Sequence, residues 1–232
     1  MDLGRAAVVV AHPDDEILWF SSLGARVGRI VMCYGAVTAA PERAEQRRRV
    51  VAAYPRNNVA FLDLPQPRFF RGMSAEIFAR ETTELAEEDP SFRATLAGRM
   101  RPALAGFSTV FVHNPWGEYG HQDHRRVNAV VNALGGEMGF AVYVSCYAER
   151  QVAAHAAAAL DQGVRDSVSF PVEASDIEPI FKLYQAHGCW TWTTNWNWPR
   201  EEHFVQLGGS PPRAGPVPLH FFDVRWSEAA SG

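Results

Sequence analysis

The sequence predicts an α/β protein with an open, mostly parallel, Rossmann-like sheet that carries helices on both faces. Short apolar runs alternate with helix-forming stretches along about the first 150 residues, and this alternation is typical of βαβ units. Clusters of polar residues follow two of the apolar runs. Ligands bind at the carboxyl edge of such sheets, so the two clusters are candidate functional segments.

Five apolar runs predict the strands of this sheet. They are rich in valine and other large apolar residues, as expected of strands that are buried on both faces. The first run, AAVVVA, ends before Pro13, which has no N–H with which to continue a central strand. The predicted strands span residues 6–11, 29–34, 59–64, 109–113 and 140–148.

The stretches between these strands predict helices and two loops. Asp14, Asp15 and Glu16 place carboxylates in the first turn of a helix directly after the first strand, where they suit the helix dipole. The other predicted helices span residues 41–53, 74–88, 92–104 and 121–134. Residues 65–72 and 114–120 show no periodicity and are predicted to be loops.

After about residue 150 the alternation weakens, which predicts an irregular, aromatic-rich C-terminal part. We expect helices at 152–160 and 175–187 and strands at 167–172 and 219–226, with the tryptophans of CWTWTTNWNW and a Gly/Pro-rich segment between them. No repeat or linker interrupts the chain. We therefore expect one domain over residues 1–232, with a core at about 5–150 and a cap at about 151–232.

The composition excludes several classes of protein. With 47% hydrophobic residues the chain can bury a core, so disorder is excluded. A net charge of −4 leaves no basic surplus for nucleic acid. No run approaches the roughly 20 apolar residues that cross a bilayer, and the three cysteines form no C-x-x-C pair. We expect a cytoplasmic protein with no membrane insertion.

Two polar segments carry the chemistry. The first contains His12, Asp14 and Asp15, and the second contains His121 and His124, which lie on neighbouring positions of one helix face. Each segment alone could simply begin a helix. Together they supply two histidines and a carboxylate at one sheet edge, which is the donor composition of a catalytic zinc site.

At these residues the sequence resembles the PIG-L/LmbE-like de-N-acetylases. The resemblance is carried by the A-H-P-D-D-E run at residues 11–16 and by the G-H-x-D-H run at residues 120–124. The order of strands and helices extends it over roughly residues 5–150. It implies hydrolysis of an N-acetyl group on an amino sugar or glycoconjugate.

The resemblance also implies roles for individual residues. His12, Asp15 and His124 would hold zinc, although sites of this donor type also take Fe²⁺ or Co²⁺. Asp14 would be the general base, and His121 would stabilise the transition state or protonate the leaving amine.

Two further residues receive roles from the same resemblance. Asp123 would orient a histidine, and Tyr119 lies where some members place a tyrosine that assists the oxyanion. Three positions depart from the family pattern. Gln122 stands where proline is frequent, which should alter the turn more than the ligands. Gln66 replaces an expected aspartate, and the Arg-x-x-Glu pattern expected in the second helix is not clean; both concern the substrate rather than the metal.

Four residues are candidate substrate contacts. Arg68 and Arg71 could bind an anion or cover a sugar, or could belong to a solvated loop. His113 could line the site or satisfy backbone groups. Trp190 could stack on a pyranose, whereas core packing or a homo-oligomer interface is the alternative for the tryptophan-rich segment.

Three hypotheses therefore stand on the sequence. The first is a zinc-dependent de-N-acetylase that acts on a small-molecule or glycoconjugate substrate. The second keeps the metal but changes the substrate to a thiol conjugate or another N-acyl compound. The third is a carbohydrate-binding protein without catalysis, which the presence of both Asp14 and His121 argues against.

Overall fold

A seven-stranded sheet forms the centre of the computed structural model. The structure describes residues 1–38, 40–67, 74–190, 192, 196–208 and 217–223. The strands are β1 (Ala6–Val10), β2 (Arg29–Ala36), β3 (Val59–Pro65), β4 (Thr109–Val112), β5 (Ala141–Ser145), β6 (Tyr147–Glu149), β7 (Val164–Pro171), β8 (Glu201–Leu207) and β9 (His220–Phe222).

Helices connect most of these strands. They are α1 (Asp15–Leu18), α2 (Pro41–Ala52), α3 (Ala75–Ala86), α4 (Pro90–Leu104), α5 (Gly117–Gly120), α6 (Gln122–Met138), α7 (Ala153–Asp161) and α8 (Ala174–Ala186). Two 3₁₀ turns, Leu3–Arg5 and Arg150–Val152, precede β1 and α7. No helix in the described part of the chain is both long and apolar enough to cross a membrane.

The order of the strands confirms the predicted fold class. The sheet runs β3-β2-β1-β4-β5-β8-β7, and its first five strands are parallel. β8 pairs antiparallel with both β5 and β7, whereas β6 and β9 form a separate parallel pair. The fold is therefore an α/β sheet that is mostly parallel, as the alternation of strands and helices indicates.

Hydrophobic clusters cover both faces of the sheet. Ala7 and Val9 of β1 pack into one cluster, to which α4 and α6 contribute side chains. Val8 and Val10 pack into the other, together with side chains of α1, α2 and α8. Because successive strand residues point to opposite faces, β1 is buried on both sides and reads as a continuous apolar run.

The structure corrects the predicted elements in several places. β8 was not predicted, because its sequence EEHFVQL begins with charged residues; Glu202 is nevertheless fully buried, and accepts hydrogen bonds from Ser21, Ser22 and Tyr147. The strand predicted at 140–148 is two strands, β5 and β6. The predicted loop at 114–120 contains the short turn α5. Of the strand predicted at 219–226, residues 220–222 form β9 and residues 224–226 lie outside the described part of the chain.

The strand order also explains where a site can form. From β1 the sheet continues through β2 and β3 on one side and through β4 and β5 on the other. A crevice therefore opens between the carboxyl ends of β1 and β4, which is the usual ligand position in such folds. The two polar segments follow these two strands.

Candidate metal centre

The turn after β1 and the segment after β4 meet in one buried cluster of titratable side chains. None of them is more than 7% exposed. The cluster consists of His12, Asp14, Asp15, His113, Glu118, Tyr119, His121, Asp123 and His124. The structure thus brings together both polar segments that the sequence singled out.

Asp15 lies at the centre of the cluster. Its Oδ2 atom is 3.3 Å from Nδ1 of His12 and 3.4 Å from Nε2 of His113, and its Oδ1 atom is 3.4 Å from Nε2 of His124. Trp19 Nε1 and the backbone N–H of His12 donate hydrogen bonds to the two carboxylate oxygens. Burial opposes the charge, but the neighbouring histidines hold the pKa of Asp15 well below its usual value.

A chain of polar contacts holds His12 from behind. Its Nε2–H group donates to Oδ2 of Asp123 over 3.1 Å, and Oδ1 of Asp123 accepts from the buried Arg126. Arg126 in turn pairs with Glu88 at 2.7 Å. Asp123 therefore orients His12, and the Nδ1 atom of His12 is left facing Asp15.

Glu118 lies on the other side of the cluster and was not among the residues predicted from the sequence. Its Oε2 atom accepts from Nδ1 of His124 at 2.7 Å and from Nδ1 of His113 at 3.1 Å. Its Oε1 atom accepts from the backbone of Asn114 and from the hydroxyl of Ser145. Burial opposes ionisation, but the two histidines lower the pKa of Glu118 to about 2.

A signal for Glu118 was present in the sequence. It is a single carboxylate between Gly117 and Gly120 in a segment that follows a strand end. The backbone there is left-handed at all three residues, with φ of 73° at Gly117, 53° at Glu118 and 89° at Gly120. Glycine adopts such angles without strain, so the pair of glycines allows the sharp turn that directs Glu118 inward.

His121 has a different arrangement from the other histidines. It is the N-cap of α6, and its Nδ1 atom accepts from the backbone N–H of Asp123 at 3.1 Å. Its ring stacks on that of His124 with centroids 4.6 Å apart. Burial and the charges on His124 and His12 lower the pKa of His121 well below its usual value. A neutral His121 therefore carries its proton on Nε2.

Hydrogen-bond partners decide which of these side chains can hold a metal. Two groups have ligand atoms within 4.8 Å of one another, namely His12, His121 and His124, and Asp15, His113 and His124. His113 is unsuited, because Nε2 accepts from the backbone of Ala11 at 2.9 Å and Nδ1 bonds Glu118. His121 is less suited, because its Nε2 is protonated.

The remaining three side chains fit a divalent metal. Nδ1 of His12 faces the buried carboxylate of Asp15, because Nε2 of the same ring is bonded to Asp123. Nε2 of His124 is buried and has no hydrogen-bond partner among the described residues. Nδ1 of His12 lies 3.3 Å from Oδ2 of Asp15, and Nε2 of His124 lies 3.4 Å from its Oδ1. Each distance is close to the roughly 3.4 Å between two ligand atoms of a tetrahedral zinc site.

Aromatic side chains form one wall beside the cluster. The ring of Tyr119 lies 5.5 Å from that of His121 and 5.2 Å from that of Trp192. Trp192 also packs edge-on against Trp19, which bonds Asp15. Trp196 also packs edge-on against Trp19, so these two tryptophans of the C-terminal segment reach this wall.

The four residues that the sequence predicted as substrate contacts lie in different surroundings. Trp190 packs against Phe181, Tyr184 and Trp198. His113 is fully buried with both ring nitrogens bonded. Arg68 and Arg71 lie outside the described residues, so their role stays a prediction.

Arg47 is a further buried cation that the sequence analysis did not select. It is 5% exposed, and its Nη1 atom donates to Oε1 of Gln66 at 3.0 Å and to the carbonyl of Tyr34. Burial lowers its pKa, while the charges on Asp14 and Asp15 oppose that shift. Gln66, which stands where an aspartate is expected, thus contacts an arginine whose charge interacts with Asp14 and Asp15.

The protonation of His124 predicts how the metal-free protein responds to pH. Burial opposes the charge, but Asp15 and Glu118 raise the pKa of His124 to about 9 from 6.5. Because the folded pKa is the higher one, this stabilisation is complete below pH 6.5 and is lost as the pH rises through 9. We expect chelator-treated protein to lose up to about 3 kcal/mol of unfolding free energy between these pH values.

Denaturant unfolding at several pH values measures this loss. A metal on Nε2 replaces the proton, so saturating zinc should remove the decline. A chelator-treated protein whose stability is flat or rises from pH 6.5 to 9 would contradict the assigned contacts of His124.

Comparisons with known proteins show the same fold in a group of deacetylases. No protein-family model matches the chain, and no curated protein matches it. A deacetylase from the biosynthesis pathway of teicoplanin, solved in complex with teicoplanin, aligns with a TM-score of 0.57 and 13% identity over 88% of this chain and 98% of its own.

Two further solved structures agree with that match. The A40926 pseudoaglycone deacetylase Dbv21 aligns with a TM-score of 0.54 and 12% identity over 89% of this chain and 98% of its own. The zinc-inhibited form of teicoplanin deacetylase Orf2 aligns with a TM-score of 0.52 and 14% identity over the same shares. At these identities the likeness establishes a shared fold.

Proposed function

We propose that this protein is a metal-dependent hydrolase that removes the N-acetyl group from an amino sugar or glycoconjugate. The observation that carries the proposal is the buried Nε2 atom of His124, which has no hydrogen-bond partner among the described residues, lies 3.4 Å from Oδ1 of Asp15 and belongs to a ring that stacks on His121. Solved structures with the same fold are deacetylases, which supports the reaction class.

His12, Asp15 and His124 would hold the metal, since each has a lone pair or a charge directed at the others. A bound divalent ion lowers the pKa of a water ligand and polarises a carbonyl group. Zinc is the ion we expect, and Fe²⁺ or Co²⁺ suits the same donors. Asp123 keeps His12 oriented through its hydrogen bond to Nε2.

Amide hydrolysis needs a base for the attacking water and a proton for the leaving nitrogen. Asp14 takes the proton as the oxygen–carbon bond forms, and that proton is then available to the amine as the carbon–nitrogen bond breaks. The products are acetate and a free amine. Asp14 lies in the turn between His12 and Asp15, which supports this role.

Charge develops on the carbonyl oxygen during the attack and must be stabilised. His121 suits this task, because its Nδ1 accepts the backbone N–H of Asp123 and its Nε2 therefore carries the proton. The same protonation makes His121 a hydrogen-bond donor rather than the acid for the amine. Tyr119, next to the ring of His121, would assist the same oxygen.

The first test combines metal content with product formation. We expect one divalent metal per chain and free amine from a panel of N-acetylhexosamine compounds, both lost in His12→Ala. Metal without amine release would keep the site and redirect the search to thiol conjugates and other N-acyl compounds. No metal after reconstitution, together with sugar binding, would favour the carbohydrate-binding hypothesis instead.

A further inference from the structure

Asp14 adopts a backbone conformation that other parts of the molecule must maintain. Its φ angle is 100° and its ψ angle is −25°, in the left-handed region. Side chains other than glycine rarely adopt this region, although aspartate tolerates it better than most. The conformation determines the direction of the Asp14 side chain at the turn between β1 and α1.

Glu16 bonds the backbone of Asp14 directly. Its Oε2 atom accepts a hydrogen bond from the backbone N–H of Asp14 at 3.0 Å. Its Oε1 atom accepts from the hydroxyl of Tyr54 at 3.1 Å and from the hydroxyl of Tyr184 at 2.7 Å. Glu16 is 1% exposed, so both oxygens of a buried carboxylate are committed to these three donors.

The two tyrosines connect the turn to distant helices. Tyr54 lies just beyond the end of α2, and Tyr184 belongs to α8, at sequence separations of 38 and 168 residues from Glu16. Trp198 also contacts this region, because its indole N–H donates to the carbonyl of Ile17 in α1. The C-terminal part of the chain therefore contacts the residues that follow Asp14.

We propose that Glu16, Tyr54 and Tyr184 form a positioning clamp that keeps Asp14 in its left-handed conformation and so aims its carboxylate at the reacting water. The inference rests on the proposed function, since the clamp acts through Asp14. Glu16 is part of the A-H-P-D-D-E run, but the run does not indicate that two tyrosines bond this glutamate. The clamp places Tyr184 of α8 in the machinery of the reaction without contact to the substrate.

Three variants test the clamp in the metal-loaded full-length protein. Glu16→Ala removes the contact to Asp14, and we expect kcat to fall about 100-fold, since small misplacements of a reacting group have effects of this size. Tyr184→Phe removes one of the two hydroxyl contacts, and we expect a fall of about tenfold. Glu16→Gln keeps an acceptor for the Asp14 N–H and should recover most of the rate.

The split between kinetic and binding constants distinguishes positioning from a general loss of structure. We expect KM and the dissociation constant for zinc to stay within about twofold of wild type in Tyr184→Phe, because the clamp does not carry the metal ligands. Tyr143→Phe is the matched control. The hydroxyl of Tyr143 also donates to a carboxylate, that of Asp166 in β7, over 2.5 Å. This variant should leave kcat unchanged.

Two results would overturn the inference. One is wild-type kcat in both Glu16→Ala and Tyr184→Phe. The other is a parallel loss of kcat, metal affinity and melting temperature in Tyr184→Phe, which would indicate a structural role alone.

A crystal structure of Glu16→Ala, or of Tyr184→Phe if the first variant does not fold, gives a readout independent of activity. We expect φ of Asp14 to leave the left-handed region or its side chain to become disordered. If the wild type releases no amine from any substrate, the proposed function fails, and this structure still decides the clamp. An unchanged Asp14 would then refute it.

Discussion

Replacing Asp14 by asparagine should lower the rate of amine release about 1,000-fold while leaving metal content unchanged. The amide cannot take the proton of the attacking water, and positioned general bases contribute about 100- to 10,000-fold to such reactions. Asparagine tolerates left-handed backbone angles as aspartate does, so the φ angle of 100° at this residue is retained. The loss should therefore lie in kcat rather than in folding.

The chain offers a matched control for this substitution. Asp63 is also an aspartate at positive φ, 47°, but it lies on the surface and pairs with Arg48. Asp63→Asn makes the same chemical change at a comparable backbone conformation and should leave the rate unchanged. Retention of more than about a tenth of the activity in Asp14→Asn would remove Asp14 from the role of base.

Replacing Glu118 by glutamine should destabilise the metal-free protein by about 3 kcal/mol and weaken metal binding by about 10- to 100-fold. Glu118 accepts four hydrogen bonds, from the side chains of His113, His124 and Ser145 and from the backbone of Asn114. Glutamine replaces one of the two acceptor oxygens with an NH₂ group, and this group would face N–H or O–H donors instead of accepting from them. His124 then loses the partner that fixes its tautomer.

Denaturant unfolding and zinc competition with a chelator measure the two effects separately. Glu149→Gln is the control, since Glu149 is also buried, at 5% exposure, but its described hydrogen bond is a single one from the backbone of Gln151. It should cost clearly less stability and leave zinc affinity unchanged. Equal zinc affinity in Glu118→Gln and wild type would show that Glu118 does not prepare His124 for the metal.

The residue types of the two polar segments and their position at a strand end could be predicted, because both depend on neighbouring residues in the sequence. An apolar run that stops at a proline ends a strand whatever surrounds it, and carboxylates and histidines at the next positions must then lie at the sheet edge. The parallel direction of β1, β2, β4 and β5 followed from the alternation of strands and helices. For these reasons the sequence predicted both the fold class and the meeting of the two polar segments.

Other features depend on contacts between residues far apart in the chain. β8 lies between β5 and β7 in the sheet, and its Glu202 is buried. The charged residues at its start argue against a strand in the sequence. In the structure, Ser21, Ser22 and Tyr147 donate hydrogen bonds to the Glu202 carboxylate, which makes its burial possible. Likewise, the choice among the histidines rests on which ring nitrogen is already bonded. His113 is committed on both sides, and this is invisible in its sequence neighbourhood.

The sequence by itself determined which residue types are available at the sheet edge and in what order they arrive there. Only the tertiary structure decided their states, because burial, tautomer and charge depend on partners from other elements. Nε2 of His124 faces Asp15 because Glu118 binds Nδ1 on the other side of the ring, and the backbone N–H of Asp14 donates to a carboxylate that also accepts from Tyr54 and Tyr184. Hydrogen bonding acts over about 3 Å in space, whatever the separation along the chain.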